Sequence, residues 1–314
     1  MTRLAVTGAS GFVGRELLAL AVRERADVAA IVRSDAAAST VAQLGARPAL
    51  VPRLEADRLT KAFAGADVVV HLAMIGRERG EETFEAVNVR GTRAVGEAAR
   101  QAGVPRVILF SGLGVASYGL KPRCTNPYFL SKLAAEVELF GSGGEALAFR
   151  PSYIVGPGDG LVTRLLADLA KGEVVRVGDG RYRMQPIAVA DAAAAVLAAA
   201  SDPRPGPGRL HRVFDLVGPE PVSFQDFVER VAAAARAEGL PATFRIREVS
   251  GEEADHAAAA GDFRGLGPDD VDILLCDEVS SALPLTRLLG RPLRSLDEAI
   301  AAAVRGAAKS APAP

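Results

Sequence analysis

Apolar positions in the first half of the chain follow two periods that take turns. Short runs rich in Val, Ile and Ala at residues 3–7, 27–33, 47–51, 67–72, 106–111 and 146–150 read as buried strands. Between them, at 11–23, 36–44, 59–64, 82–102 and 128–140, apolar residues recur every three or four positions, as on helices with one buried face. Strand and helix in alternation predict an α/β fold, a doubly wound parallel sheet covered on both faces. Gly103-Val104-Pro105 is a helix stop, glycine past the end and proline beyond.

After Pro151 the pattern loosens. A turn at Gly156-Pro157-Gly158 precedes a helix to about residue 170 and a strand near 174–177. Gln185-Pro186-Ile187 leads into an Ala-rich helix from Val189 with Asp191 in its first turn. Residues 203–208 read as a surface loop, followed by a strand at 212–217, a helix at 223–237, a strand at 243–247 and a closing helix at 295–304. Residues 248–282 carry many carboxylates and one Arg or Lys, Arg264, which suggests a solvated lid or insertion, with an acidic docking surface as the other reading. The tail from Ala307 is expected to be disordered. The expected division is a dinucleotide-binding domain over 1–150, rejoined by 181–217, and a smaller C-terminal α/β substrate region from 151–180 and 218–314. No internal repeat is visible.

Composition narrows the partners. Hydrophobic content is 49% and net charge −1, with 37 basic and 38 acidic residues, which argues against nucleic acid and against a basic membrane face. Two cysteines, Cys124 and Cys276, have no metal-ligand spacing, so no metal is expected and a reducing cytoplasm is the natural compartment. The first strand begins at residue 3, leaving no room for a signal peptide, and the apolar stretch 188–200 is too short to span a bilayer.

Gly8-Ala9-Ser10-Gly11-Phe12-Val13-Gly14 follows a strand and opens a helix. A pyrophosphate needs close backbone approach and free N–H groups at a positive helix end. Gly8 permits the tight turn, Gly11 the approach of the phosphates, and Gly14 helix–sheet packing. Where a carboxylate would hold the ribose diol of NAD, the second strand ends in Arg33-Ser34. A guanidinium there suits a 2′-phosphate, so NADP is favoured over NAD; an Arg stacked on adenine is the other reading.

Tyr128 and Lys132 are four apart on one helical face. Tyr and Lys are both scarce, with four and five in the chain, so their pairing is uncommon. An ammonium beside a phenol should lower the phenol's pKa and make it a usable proton donor or acceptor.

Together these features resemble the extended short-chain dehydrogenase/reductase family, in its NAD-dependent epimerase/dehydratase-like part, over nearly the whole chain. The matching segments are the glycine loop, His71-Leu72-Ala73, Asn88-Val89-Arg90-Gly91-Thr92, Tyr128-Phe129-Leu130-Ser131-Lys132, Arg150-Pro151-Ser152-Tyr153-Ile154 and Leu216-Val217-Gly218-Pro219-Glu220. The resemblance implies a Rossmann fold, Tyr128 as general acid/base, Lys132 holding the nicotinamide ribose, and Asn88 bracing the site. It further implies cofactor contacts from Gly8, Ser10 to Gly14, Arg33, Ser34, Leu54, Leu72 to Met74, Phe110, Ser111, Pro151, Ser152 and Ile154. Homodimerisation through helices 82–102 and 128–140 is also implied.

Two departures matter. Leu113 occupies the place of the hydroxyl that polarises the substrate carbonyl, leaving Ser111, Ser117, Tyr118 or Thr125 to substitute; losing an aligned donor costs about 3 kcal/mol. Arg53 stands where relatives carry the Asp that reads adenine, leaving the Leu54 backbone. Ser-Gly-Leu-Gly at 111–114 resembles the branch containing an accessory subunit of respiratory complex I and the NmrA-like regulators. The leading expectation is an NADP-dependent oxidoreductase acting on a ketone or secondary alcohol of a small metabolite. A sugar-nucleotide epimerase or dehydratase, and a nucleotide-binding sensor or assembly protein without turnover, are the alternatives.

Overall fold

A computed structural model describes residues 2–202 and 211–310; the loop expected at 203–208 lies outside them. Seven strands form one parallel sheet: β1 (Arg3–Thr7), β2 (Asp27–Val32), β3 (Arg47–Leu50), β4 (Val68–His71), β5 (Arg106–Phe110), β6 (Glu145–Pro151) and, far along the chain, β11 (His211–Leu216). Their order is β11-β6-β5-β4-β1-β2-β3. Reversal of direction at β1 puts the crevice outside its C-terminal end, where open α/β sheets bind ligands.

The strand period of two sorts side chains between layers. Leu4, Val6, Val68, Val70, Ile108 and Phe149 pack on one face, against α1 (Phe12–Arg23), α2 (Asp35–Gln43) and α7 (Val189–Ser201). Ala5, Val69, Val107, Leu109 and Ala146 pack on the other, against α3 (Ala56–Phe63), α4 (Arg90–Gln101) and α5 (Pro127–Gly141). A buried ionic junction joins the late strand to the sheet: Glu145 accepts from Arg106 Nε (2.7 Å) and Arg212 Nη2 (2.8 Å), while Arg106 Nη1 donates to Ala199 O.

The remaining elements build a second apolar core. The short strands β7 (Ile154–Val155), β9 (Arg183–Met184), β10 (Ile187–Ala188) and β12 (Val222–Ser223) tie it together, and β8 (Glu173–Val177) pairs with β13 (Arg245–Val249). Helices α6 (Gly160–Ala170), α8 (Phe224–Ala237) and α12 (Leu296–Ser310) enclose Val162, Leu165, Phe227, Val231 and Ile300. Helix α11 (Leu283–Leu289) reaches back to the first core through Leu285.

Several expectations change. The helix expected over 82–102 is split into a π-turn, Glu85–Val89, and α4. Helix α12 continues to Ser310, so residues 307–310 are helical rather than disordered. The acidic stretch is folded: α9 (Gly251–Ala259) and α10 (Pro268–Leu274) bury Ala254, Phe263 and Val271 in a small core of their own. Its carboxylates face arginines: Arg123 donates to Asp255 (2.7 and 2.8 Å) and Asp272 (3.0 Å), and Arg77 pairs with Asp270. Arg123 is held at φ +67°, a left-handed conformation costing a non-glycine residue about 1 kcal/mol. Part of the excess negative charge is therefore an interface, while Glu252, Glu253 and Asp262 stay exposed.

Candidate active site

The glycine loop is shaped by backbone contacts. Gly8 has φ +68°, and a Cβ there would lie 2.7 Å from Ala73 N, inside the loop after β4. A Cβ on Gly14 would meet Gly8 O at 2.4 Å, so α1 rests directly on the loop. Gly11 caps α1 with no side-chain hydrogen bond and no acidic residue in the first turn, leaving that positive helix end to a ligand. Ser10 is half-buried; Phe12 and Val13 lead into the helix, Val13 packing on the first core.

Behind the loop runs a relay of buried hydroxyls. Thr7 Oγ1 lies 2.7 Å from His71 Nδ1 and accepts from Ala73 N (3.4 Å); His71 Nε2 lies 3.1 Å from Thr92 Oγ1, which donates to Asn88 O (2.6 Å). Burial, with Lys132 nearby, pushes His71 down to about 3, so the ring is neutral and structural. The sequence signalled these residues as separate motifs; their connection needed the fold. Asn88, at the π-turn, accepts from Ile75 N (2.8 Å) and donates to Ile75 O and Ser131 Oγ (3.0 Å each). It therefore pins the loop after β4 to α5, where Ser131 Oγ donates to Tyr128 O (2.7 Å).

Helix α5 starts earlier than expected. Asn126 Oδ1 accepts from Phe129 N (2.8 Å) and Pro127 takes the first helical position, an Asn-Pro start readable in the sequence. Tyr128 packs against Phe84 (ring centroids 5.9 Å) and Phe129 (5.5 Å), and with Tyr118 and Ile273 it flanks a cluster of Cys124, Phe129 and Cys276. A Cβ on Gly112 would be 3.9 Å from the Tyr128 hydroxyl oxygen, placing the phenol at the end of β5. Lys132 is buried, its Nζ 3.1 Å from Met74 Sδ, 3.4 Å from Phe110 O and 5.5 Å from the Tyr128 ring centroid.

The expected electrostatics are reversed. Burial, then Glu278 and Asp270, raise the Tyr128 phenol, while burial pushes Lys132 down to about 7. Desolvation is the largest influence on each group. Glu278, a buried residue the sequence reading passed over, is itself pushed up to about 7 by burial.

Other expected positions divide. Ser111 Oγ is buried and has no partner, whereas Leu113 begins a 3-10 turn, Leu113–Ser117, whose first three residues are buried, so the strand does not stay extended to carry both on one face. Among the stand-ins, Tyr118 packs against the same buried cluster as Tyr128 and Thr125 is exposed. Ser34 Oγ accepts from Ala37 N (3.4 Å) as the cap of α2, and Leu54 packs over Gly91. Arg33 sits past β2, paired with Glu82, and Arg53 Nη2 lies 3.4 Å from Glu81. A carboxylate absent from the strand end is thus supplied from 49 positions away. Pro151 ends β6, Ile154 pairs with Ile187, and Ser152 is buried at the junction, donating to Glu278 O (3.3 Å).

A match to the family model described as "NAD dependent epimerase/dehydratase family" covers residues 4–213. The chain belongs to that family. Among similar proteins is the 4-hydroxy-2-methyl-3-oxo-4-farnesyl-3,4-dihydroquinoline-1-oxide ketoreductase of Stigmatella aurantiaca, 33% identical over 72% of this chain and 71% of that one. Another is the ceramide reductase of Caulobacter vibrioides, 35% identical over 62% and 60%. The crystal structure of Thermus thermophilus UDP-glucose 4-epimerase complexed with NAD shares the fold, with TM-score 0.76 at 20% identity over 99% of this chain and 100% of that one. Within this extended short-chain dehydrogenase/reductase family, the chain is of the NAD(P)-dependent enzyme type. Among the described residues no helix is long and apolar enough to cross a membrane, and no group of three or more His, Cys, Asp or Glu could hold a metal.

Proposed function

We propose that the protein is an NADP-dependent oxidoreductase interconverting a ketone and a secondary alcohol of a small metabolite, with Tyr128 as general acid/base. The observation that carries this is the convergence of Tyr128, Lys132 and the unpartnered Ser111 Oγ at the sheet's C-terminal edge, beside the uncapped glycine loop. The residues fit a dinucleotide: the loop for its phosphates, Lys132 for the nicotinamide ribose, and Arg33 for a 2′-phosphate. When bound, the nicotinamide supplies or accepts hydride. Asn88 and Ser131 fix the loop after β4 against α5. Ser111 would donate to the substrate oxygen, and Tyr128 would pass its proton to that oxygen. Its raised pKa keeps the phenol protonated, the form needed for reduction. The reductase names of the two relatives support this direction.

Glu82 tempers the coenzyme preference, since a 2′-phosphate must compete with it for Arg33; NAD remains within the chemistry of the site. We also propose a cytoplasmic homodimer joined through α4 and α5, where Leu130 and Val137, one heptad apart, are exposed. A single mass equal to the monomer in light scattering would overturn that assembly.

NADPH oxidation should be measured with a panel of carbonyl compounds. Tyr128→Phe is expected to cut turnover by about 10²–10⁴-fold with NADPH affinity nearly unchanged. Turnover that survives the change refutes the role. Coenzyme that co-purifies and is not consumed would instead indicate an internal epimerase or dehydratase cycle, and binding with no turnover a sensor.

A further inference from the structure

We infer that the substrate is an uncharged ketone bearing a long apolar chain, which lies between α6 and α10. The ketone rests on the oxidoreductase reading above; the chain and the missing charge rest on the cavity beside Tyr128.

Two adjoining cavities, about 200 and 50 Å³, share Tyr153, Leu161 and Leu274 in their walls. Leu266 and Ile273 line the larger, and Val175 and Phe224 the smaller. The reaction end is fixed by two residues of these walls, Ile273 and Cys276, because both also pack in the cluster holding the Tyr128 ring. Hydrocarbon therefore leads away from the phenol into the second core.

Charge around this path disfavours an anion. Arg77 is held by Asp270, Arg123 by Asp255 and Asp272, Arg183 by Asp277 and Arg264 by Asp168. Among the cavity-lining residues that leaves Arg164, which is exposed. Among the residues that line these two cavities a diphosphate would find no buried cation to replace its water, and burying it unpaired is prohibitive. A carboxylate beside the reacting carbonyl would lie near Glu278 and Asp270, the two acids whose fields reach Tyr128. A neutral head and an apolar tail are what remain.

The test uses the full chain with NADPH and two probe sets. One set is 2-butanone, 2-octanone and 2-dodecanone; the other is methyl 3-oxododecanoate against 3-oxododecanoate, with UDP-glucose as the anionic control. kcat/KM is expected to climb about fourfold for each buried methylene until the cavity is filled. The ester should exceed the free acid by at least tenfold, and UDP-glucose should neither turn over nor compete. Leu274→Trp, which fills the shared wall, should lower the dodecanone-to-butanone ratio of kcat/KM by tenfold or more. Turnover that is flat with chain length, or that favours the acid or the nucleotide, overturns this inference and leaves the oxidoreductase reading standing. No turnover, but calorimetric affinity rising with chain length, overturns the oxidoreductase reading and keeps the apolar site. Neither turnover nor binding removes both.

Discussion

Cys124 Sγ lies 2.9 Å from Cys276 Sγ, joining the loop ahead of α5 to the segment behind α10. Both residues are buried, and burial together with the Cys124 thiol pushes Cys276 well up. Protonated thiols are poor nucleophiles. Native protein should therefore react with an aromatic disulfide reagent at pH 8 at least tenfold more slowly than denatured protein. Equal rates would mean that this seam opens freely in solution.

Lys132 carries a pH signature in the coenzyme-free protein. Its pKa is about 7 in the fold against 10.5 for an ordinary lysine, so the unfolded chain binds more protons between those values. Stability from this group consequently rises from pH 7 to 10.5, and below pH 7 the full burial penalty of about 1.4 kcal/mol per unit applies. Lys132→Met is expected to resist urea better than wild type at pH 6.5, with an advantage of a few kcal/mol that fades by pH 10. A difference independent of pH would show that the amine is solvated.

Selection between coenzymes should respond to Glu82. Arg33 and Glu82 are both substantially exposed, where an ion pair is worth about 0–1 kcal/mol. Glu82→Gln should thus tighten NADPH about two- to fivefold and leave NADH within twofold. Arg33→Ala should weaken NADPH alone. Calorimetry with both coenzymes reads all four values, and parallel changes would remove the 2′-phosphate contact from the scheme.

Gly114 makes room for Phe129, whose ring packs against that of Tyr128. A Cβ there would fall 2.2 Å from Phe129 Cζ and 2.3 Å from its Cε1, within the next ring on α5. Gly114→Ala is expected to cost about 1–3 kcal/mol in chemical denaturation and to lower kcat by shifting the adjacent phenol. Unchanged stability would mean that the ring finds room elsewhere.

How far the sequence could be read follows from what each feature requires. Strands β1, β4 and β5 announce themselves because both faces are buried, giving unbroken apolar runs, and the glycine loop because the backbone demands glycine. The π-turn at Asn88 leaves no composition signal, so one continuous helix was the natural reading. Acidic residues over 248–282 look solvated until Arg77 and Arg123, more than a hundred positions earlier, are brought opposite them. Spacing placed Tyr128 and Lys132 on one face, but their protonation depends on burial and on Glu278, which arrives 150 positions after Tyr128. Family membership was therefore readable from local motifs, and the electrostatics of the site were not.

Arg123, Arg77 and their carboxylate partners fasten the late acidic helices to the half of the chain that forms the parallel sheet. Such fastening weakens as ions are added to the medium, whereas the hydrocarbon contacts do not. Concentrated salt would accordingly loosen α9 and α10 before either main core, and access to the proposed site would then depend on ionic strength.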